Sequence, residues 1–149
     1  MLTDLKAAAK IAGFNLIIAE SDKNIDNQLN RIVRTEQLPL ALSSWDLNVN
    51  VSFDENGFLQ NPTTQVTMLL VDKALTLEKM DLEEKAEEVG ELFIKFIRTL
   101  KTYMLENTNV KEDPITDISF VYVPSYGPSK HSGVLGKFTM QIGLASDCI

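Results

Sequence analysis

Residues 81–105 read DLEEKAEEVGELFIKFIRTLKTYML, and this stretch decides the fold. Apolar side chains recur there mostly at steps of three or four, which predicts one apolar stripe along a helix of about seven turns. Asp81 is placed to cap the helix, and Glu84 completes a capping box. The stripe consists of Leu82, Ala86, Val89, Phe93, Phe96, Ile97, Leu100 and Met104. Because such a stripe requires a flat apolar partner, we expect a sheet beneath it.

The first third of the chain predicts a helix, a strand and a second short helix. Apolar residues over 2–12 mark one face of an N-terminal helix, and Gly13 is placed to end it. The run FNLIIA at residues 14–19 indicates a strand. Polar residues 21–24 indicate a turn, and apolar residues within 25–33 have helical spacing.

The middle of the chain predicts an antiparallel hairpin. Apolar and polar residues alternate strictly over 47–53, the pattern of a half-buried strand. Residues 54–62 contain Asp-Glu-Asn-Gly and Asn-Pro, which favour a loop. The run QVTMLLV at residues 65–71 is then the answering strand.

Two more strands are predicted after the long helix. Residues 118–123 (ISFVYV) are almost continuously apolar, as expected for a central strand, and residues 134–144 alternate. A flexible loop at 124–133 joins them. The order of elements predicts one domain of class α+β over residues 1–149. It comprises a mostly antiparallel sheet of about four to five strands, with the long helix (81–105) and the N-terminal helix packed on one face.

Composition narrows the classes of function. The chain has 149 residues, a net charge of −7 and a pI near 4.7, which argues against binding nucleic acid because that affinity comes mostly from cations on phosphates. Its single cysteine, Cys148, cannot form an internal disulfide, which is typical of a cytoplasmic protein. No segment approaches the roughly 20 apolar residues of a membrane span, and no signal peptide is recognisable.

Catalytic and metal-binding patterns are not found in the sequence. His131 is the sole histidine, and we expect it in a solvated loop. The acidic residues of the long helix are expected on its wet outer face, so neither a metal nor another cofactor is predicted. An enzyme with a hidden site stays an alternative. It would need two or more residues of one set to converge in a pocket, namely Asp22, Asp26, Asp46, Asp72 and Tyr122.

Contact with other protein chains is the better hypothesis. The predicted outer strand faces are polar but uncharged, without the lysines that usually discourage pairing between sheet edges. This pattern indicates either contact between subunits or an ordinary solvated sheet face. Loops on a rigid sheet are where partner-specific surface usually lies. The candidate interaction residues are therefore in the two loops, namely Asp54, Glu55, Asn56, Phe58, Tyr126, Lys130 and His131.

The order of elements resembles that of small α+β proteins that finish phage tails, the tail-terminator and tail-completion (neck) proteins, in their prophage forms. The run FNLII at 14–18 and the segment at 25–31 are similar to the opening strand and helical turn of that family. Residues 38–42 (LPLAL) resemble its proline-led strand, and residues 82–100 resemble its covering helix. An extra strand and turn between the first helix and the main hairpin depart from the simplest family pattern.

The resemblance implies a non-enzymatic structural protein. Such a protein closes into a ring, often a hexamer, on the end of the tail tube and offers a joining surface to the head. Its partners would be further copies of itself, tail-tube proteins and head-completion proteins, with assembly in the host cytoplasm or presence in the virion. The alternative is a bacterial cytoplasmic adaptor or regulatory binding module, which predicts a monomer or dimer with one apolar groove.

Overall fold

The fold is seen in a computed structural model, which describes residues 2–18, 38–45, 49–59, 62–107, 113–126 and 131–142. Its elements are α1 (Leu2–Ala12), β1 (Asn15–Ile18), β2 (Leu40–Trp45), β3 (Thr63–Asp72), α2 (Lys79–Asn107), β4 (Ile115–Tyr126) and β5 (His131–Gln141). The five strands form one sheet in the order β1-β2-β3-β5-β4, in which β1 and β2 are parallel and all other pairs antiparallel. The predicted α+β class is confirmed.

Some predictions fall outside the described residues. These are the turn at 21–24, the short helix at 25–33, Leu47 in the predicted strand and Lys130 in the predicted loop, together with Asp22, Asp26, Asp46 and Cys148.

The apolar stripe of α2 is confirmed, since all eight of its residues are buried. The stripe lies on the sheet, where the ring of Phe93 contacts the rings of Phe120 and Phe138 with centroids 5.6 and 6.5 Å apart. The Phe96 ring lies 5.3 Å from that of Phe14, just after α1. Aromatic side chains therefore join both helices and the sheet in one core.

The predicted start of this helix is wrong. The helix begins at Lys79, because the amide of Leu82 already donates to the Glu78 carbonyl at 3.0 Å. Asp81 thus lies inside the first turn, where its carboxylate accepts a hydrogen bond from the Thr76 hydroxyl. The same hydroxyl oxygen accepts from the Glu78 amide at 3.1 Å. Thr76, rather than a capping box at Asp81, organises this terminus.

Helix α1 is confirmed with its predicted ending. The amides of Gly13 and Phe14 both donate to the Ala9 carbonyl, and Gly13 has a φ of +106°, which glycine adopts without strain. Ala8, Ala9 and Ala12 are buried in the core shared with α2. Their small side chains let the two helices approach closely.

The sheet also carries a second apolar cluster, on the face away from the helices. Leu40, Leu42, Leu69 and Val71 are buried there. The alternation rule did not reveal this cluster, because the runs that form β2 and β3 are apolar on both faces.

The predicted central position of residues 118–123 is wrong. Strand β4 is an edge strand, and β5 lies between β3 and β4. Glycines in β5 explain this order, since a Cβ at Gly133 would lie 1.8 Å from the Leu70 carbonyl oxygen and one at Gly136 would lie 2.4 Å from the Phe93 ring. Only a strand without side chains at those points fits beside β3 and beneath α2.

The predicted first strand of the hairpin is also misplaced. Residues 40–45 form the strand that pairs with β3, with Leu42 opposite Leu69. The alternating residues 49–53 lie beyond the first residue of β3, Thr63, where one bridge to Asn50 continues the pairing. These residues are exposed rather than half-buried.

Candidate interaction surface

Residues 49–59 form a projecting hairpin, which we call the arm. Every one of its residues is exposed. Two bridges hold it, Asn50 with Thr63 and Phe53 with Leu59, and the first has N···O distances of 2.8 and 3.1 Å. Five apolar side chains have between 42% and 70% of their surface in solvent, namely Val49, Val51, Phe53, Phe58 and Leu59. Exposed apolar side chains that are close in sequence make the arm a candidate contact surface.

The tip of the arm is a tightly hydrogen-bonded turn. One carboxylate oxygen of Asp54 accepts from the amides of Asn56 and Phe58, both at 2.9 Å. The Asp54 amide donates to the Phe58 carbonyl, and the Gly57 amide donates to the Asp54 carbonyl. Gly57 has a φ of +81°, so the turn needs a residue that tolerates the left-handed region. The tip is preorganised, which reduces the ordering cost of binding.

The structure brings together four of the predicted interaction residues. Asp54, Glu55, Asn56 and Phe58 are consecutive or nearly so at the tip, and all are exposed as expected for a loop. They present two carboxylates beside an aromatic ring.

The second predicted loop is largely strand. Tyr126 ends β4 and its backbone pairs with that of His131, which begins β5. The expectation that His131 is solvated is wrong, because only 3% of it is exposed.

The surroundings of His131 disfavour its protonated form. Burial lowers the pKa of His131 below its ordinary value, the positive charge of Lys73 lowers it further, and Asp72 opposes them. Its Nδ1 finds no hydrogen-bond partner among the described residues. His131 is therefore a buried side chain at the start of β5 whose surroundings favour its neutral form.

Strand β4 offers a second surface, which the sequence reading missed. It forms one edge of the sheet, and Asp117 is its single charged residue. Val121 is 59% exposed and Tyr122 is 53% exposed. However, the register shifts after Thr116 and again after Val123, and such bulges hinder pairing with a further strand. The free edge is thus less suited to contact than the arm.

A shallow depression of about 340 Å³ lies on the outer side of the two helices. It is lined by Ile11, Arg98, Thr99, Thr102, Tyr103 and Glu106. Ile11 is 61% exposed, although it is a large apolar residue on a short helix. The sequence signal for this depression is an isoleucine that lies off the buried face of α1.

Of the residues named for a hidden enzyme site, the structure describes Asp72 and Tyr122, while Asp22, Asp26 and Asp46 lie outside the described residues. The carboxylate of Asp72 lies 4.0 Å from the Lys85 ammonium group, and the Tyr122 ring packs edge-on against Phe120. Among the described residues no group of three or more His, Cys, Asp or Glu side chains is arranged to hold a metal.

In the part of the chain that the structure describes, no helix is long and apolar enough to cross a membrane. Comparison with protein-family models gives no match for this chain, and comparison with curated protein sequences gives none either. Function is therefore inferred from three surfaces, namely the arm, the edge of β4 and the depression, together with the order of elements.

Proposed function

We propose that this chain is a non-enzymatic structural protein that assembles with copies of itself. The observation that carries this proposal is the arm, in which five apolar side chains are held in solvent by a preorganised turn. Exposing these side chains is unfavourable by about 25 cal/mol for each Å² of apolar surface. Covering them in an assembly recovers that free energy, so the arm favours association.

Within that class we propose a tail-terminator or neck role. The support is the order of elements, a helix and strand followed by a proline-led strand, its antiparallel partner β3, a long covering helix and two final strands. The ring, often a hexamer in that family, would sit on a tail tube and accept a head-completion protein. The arm and the free edge of β4 would be its contact surfaces.

The first test is the mass of the protein in solution, measured by light scattering after size exclusion over a wide range of concentrations. We expect a closed oligomer near six subunits, or a mass that grows toward it with concentration. A monomer at every concentration would contradict self-assembly.

A variant in the arm tests whether the arm is responsible for the mass of the oligomer in solution. We expect Phe58→Ser to shift the mass toward the monomer at a fixed concentration, because the serine side chain leaves much less apolar surface to cover. Leu75→Ser is the matched control, since Leu75 is 95% exposed but lies in the β3–α2 connection. Equal effects of the two variants would contradict the role of the arm.

The second candidate function is a binding module for another protein, and the depression beside Ile11 favours it. Under this hypothesis the protein stays monomeric or dimeric, and Ile11→Ser weakens capture of the partner without changing the mass. The concentration series therefore separates the two functions.

A further inference from the structure

We propose that the tip of the arm docks into the helix depression of a neighbouring copy. This inference depends on the proposed self-assembly and names the two surfaces that meet. The donor surface is the arm tip, Asp54 to Phe58. The acceptor surface is the depression lined by Ile11, Arg98 and Tyr103, with its neighbours on α2.

The two surfaces match in their apolar parts. Phe58 is 70% exposed at the tip of the donor, and Ile11 and Tyr103 supply apolar and aromatic walls to the acceptor. A depression of about 340 Å³ lies in the range that accepts a small ligand or a large side chain. An aromatic side chain in such a pocket is the usual anchor of a protein interface.

The charges of the two surfaces are also complementary. The arm has two acidic residues, Asp54 and Glu55, and no basic residue between positions 49 and 59. Arg98 lines the depression, and two exposed lysines adjoin its lining in sequence, Lys10 next to Ile11 and Lys95 one turn before Arg98. Glu106 is the one acidic residue in the lining. Opposite charges of this kind set the register of docking and exclude wrong partners.

The donor and acceptor are different patches of the same chain. A contact between different patches leaves each copy with one unused donor or acceptor until a ring closes. The contact therefore provides the head-to-tail connection that a ring requires.

A charge-exchange experiment tests the contact. The arm variant carries Glu55→Lys, the depression variant carries Arg98→Glu, and a third protein carries both changes. Asp54 is left unchanged because its carboxylate holds the turn at the tip. We expect each of the first two to raise the concentration needed for association at least tenfold. The third protein should recover a substantial part of that loss, because its charges are again opposite. Circular dichroism confirms that each variant is folded.

The matched control carries Glu84→Lys, which changes the net charge as much as the arm variant does. Glu84 is exposed on the first half of α2, away from the depression. We expect association of this control to remain within about twofold of the unmodified chain, a change of about 0.4 kcal/mol.

A disulfide trap locates the contact directly. In a Cys148→Ser background, Glu55→Cys and Thr102→Cys are combined in one chain and oxidised. We expect linked dimers and higher species with both cysteines and none with either alone.

The results separate this inference from the proposed function. An oligomer that ignores the charge changes and gives no linked species would overturn the docking contact and leave self-assembly standing. Loss of association in the arm variant without recovery in the protein that carries both changes would also overturn it, because the arm would then contact another surface. A monomeric unmodified chain would overturn both.

Discussion

The stripe on α2 and the alternating residues of the arm are two regular apolar patterns that end in opposite surroundings. All eight residues of the stripe are buried, whereas Val49, Val51 and Phe53 are exposed. Both patterns are clean by the rules of periodicity. The difference is that α2 lies over β3, β4 and β5, while the arm extends beyond the first residue of β3.

The periodicity of apolar residues measures local conformation only. A period of 3.6 or 2 reports which local conformation segregates apolar from polar side chains. It does not report whether the same chain supplies the surface that covers them. An exposed periodic segment is therefore a candidate contact surface, and the arm is such a segment.

The largest expected effect comes from the same substitution in the two regions. Phe93→Ala removes a ring that contacts Phe120 and Phe138, so we expect it to lower the free energy of unfolding by about 3–5 kcal/mol. Phe58→Ala should change it by less than about 0.5 kcal/mol in the monomer. Urea unfolding at low protein concentration measures both. Similar losses of unfolding free energy in the two variants would contradict the contrast between a buried Phe93 and an exposed Phe58.

A second pair compares glycines. Gly133→Ala places a methyl group against the Leu70 carbonyl in the middle of the sheet, and we expect a loss of at least about 2 kcal/mol. Gly57→Ala meets no atom within 4 Å, so it costs only the strain of a positive φ, about 1 kcal/mol. Thermal unfolding of the two variants checks the order. A tolerated Gly133→Ala would contradict the reason given for the central position of β5.

The smallest effect is a pH dependence that belongs to the buried region. The pKa of His131 is lowered in the folded state, so the unfolded chain binds its proton more readily. Its contribution to stability is therefore complete above the ordinary pKa of 6.5 and is lost as pH falls through and below that value. The slope for this one proton cannot exceed about 1.4 kcal/mol per pH unit.

His131→Asn isolates this contribution. We expect the unmodified chain to lose more stability than the variant between pH 7.5 and pH 5.5, as measured by urea unfolding at each pH. Parallel losses would mean that His131 is accessible to protons in the folded state. Arm variants such as Phe58→Ala should not alter the pH profile.

Much of the fold was predictable from local patterns. The spacing in α2 separates apolar from polar side chains only if the segment is a helix, and α1 ends at a glycine with positive φ. Strand β1 was predicted from a short apolar run. The candidate residues at the arm tip were predicted as a turn, because Asp, Asn and Gly satisfy the backbone locally.

The depression and the edge position of β4 were not predictable in the same way. The depression forms where Ile11 of α1 meets Arg98 and Tyr103 of α2, which are far apart in sequence. The apolar run in β4 suggested a central strand, but the central position requires glycines where a Cβ would meet the Leu70 backbone and the Phe93 ring. Neither the depression nor the edge position of β4 follows from residues that are close in sequence.

The sequence by itself determined the elements of this protein, since turn residues, caps and apolar periods act within a few positions of one another. The tertiary structure decided which of them are covered. It placed β5 rather than β4 at the centre, buried His131 between the ends of two strands, and left the arm in solvent. The physical reason is that burial depends on surfaces brought together by long-range packing, where a single Cβ or a shift of register changes which segment fits.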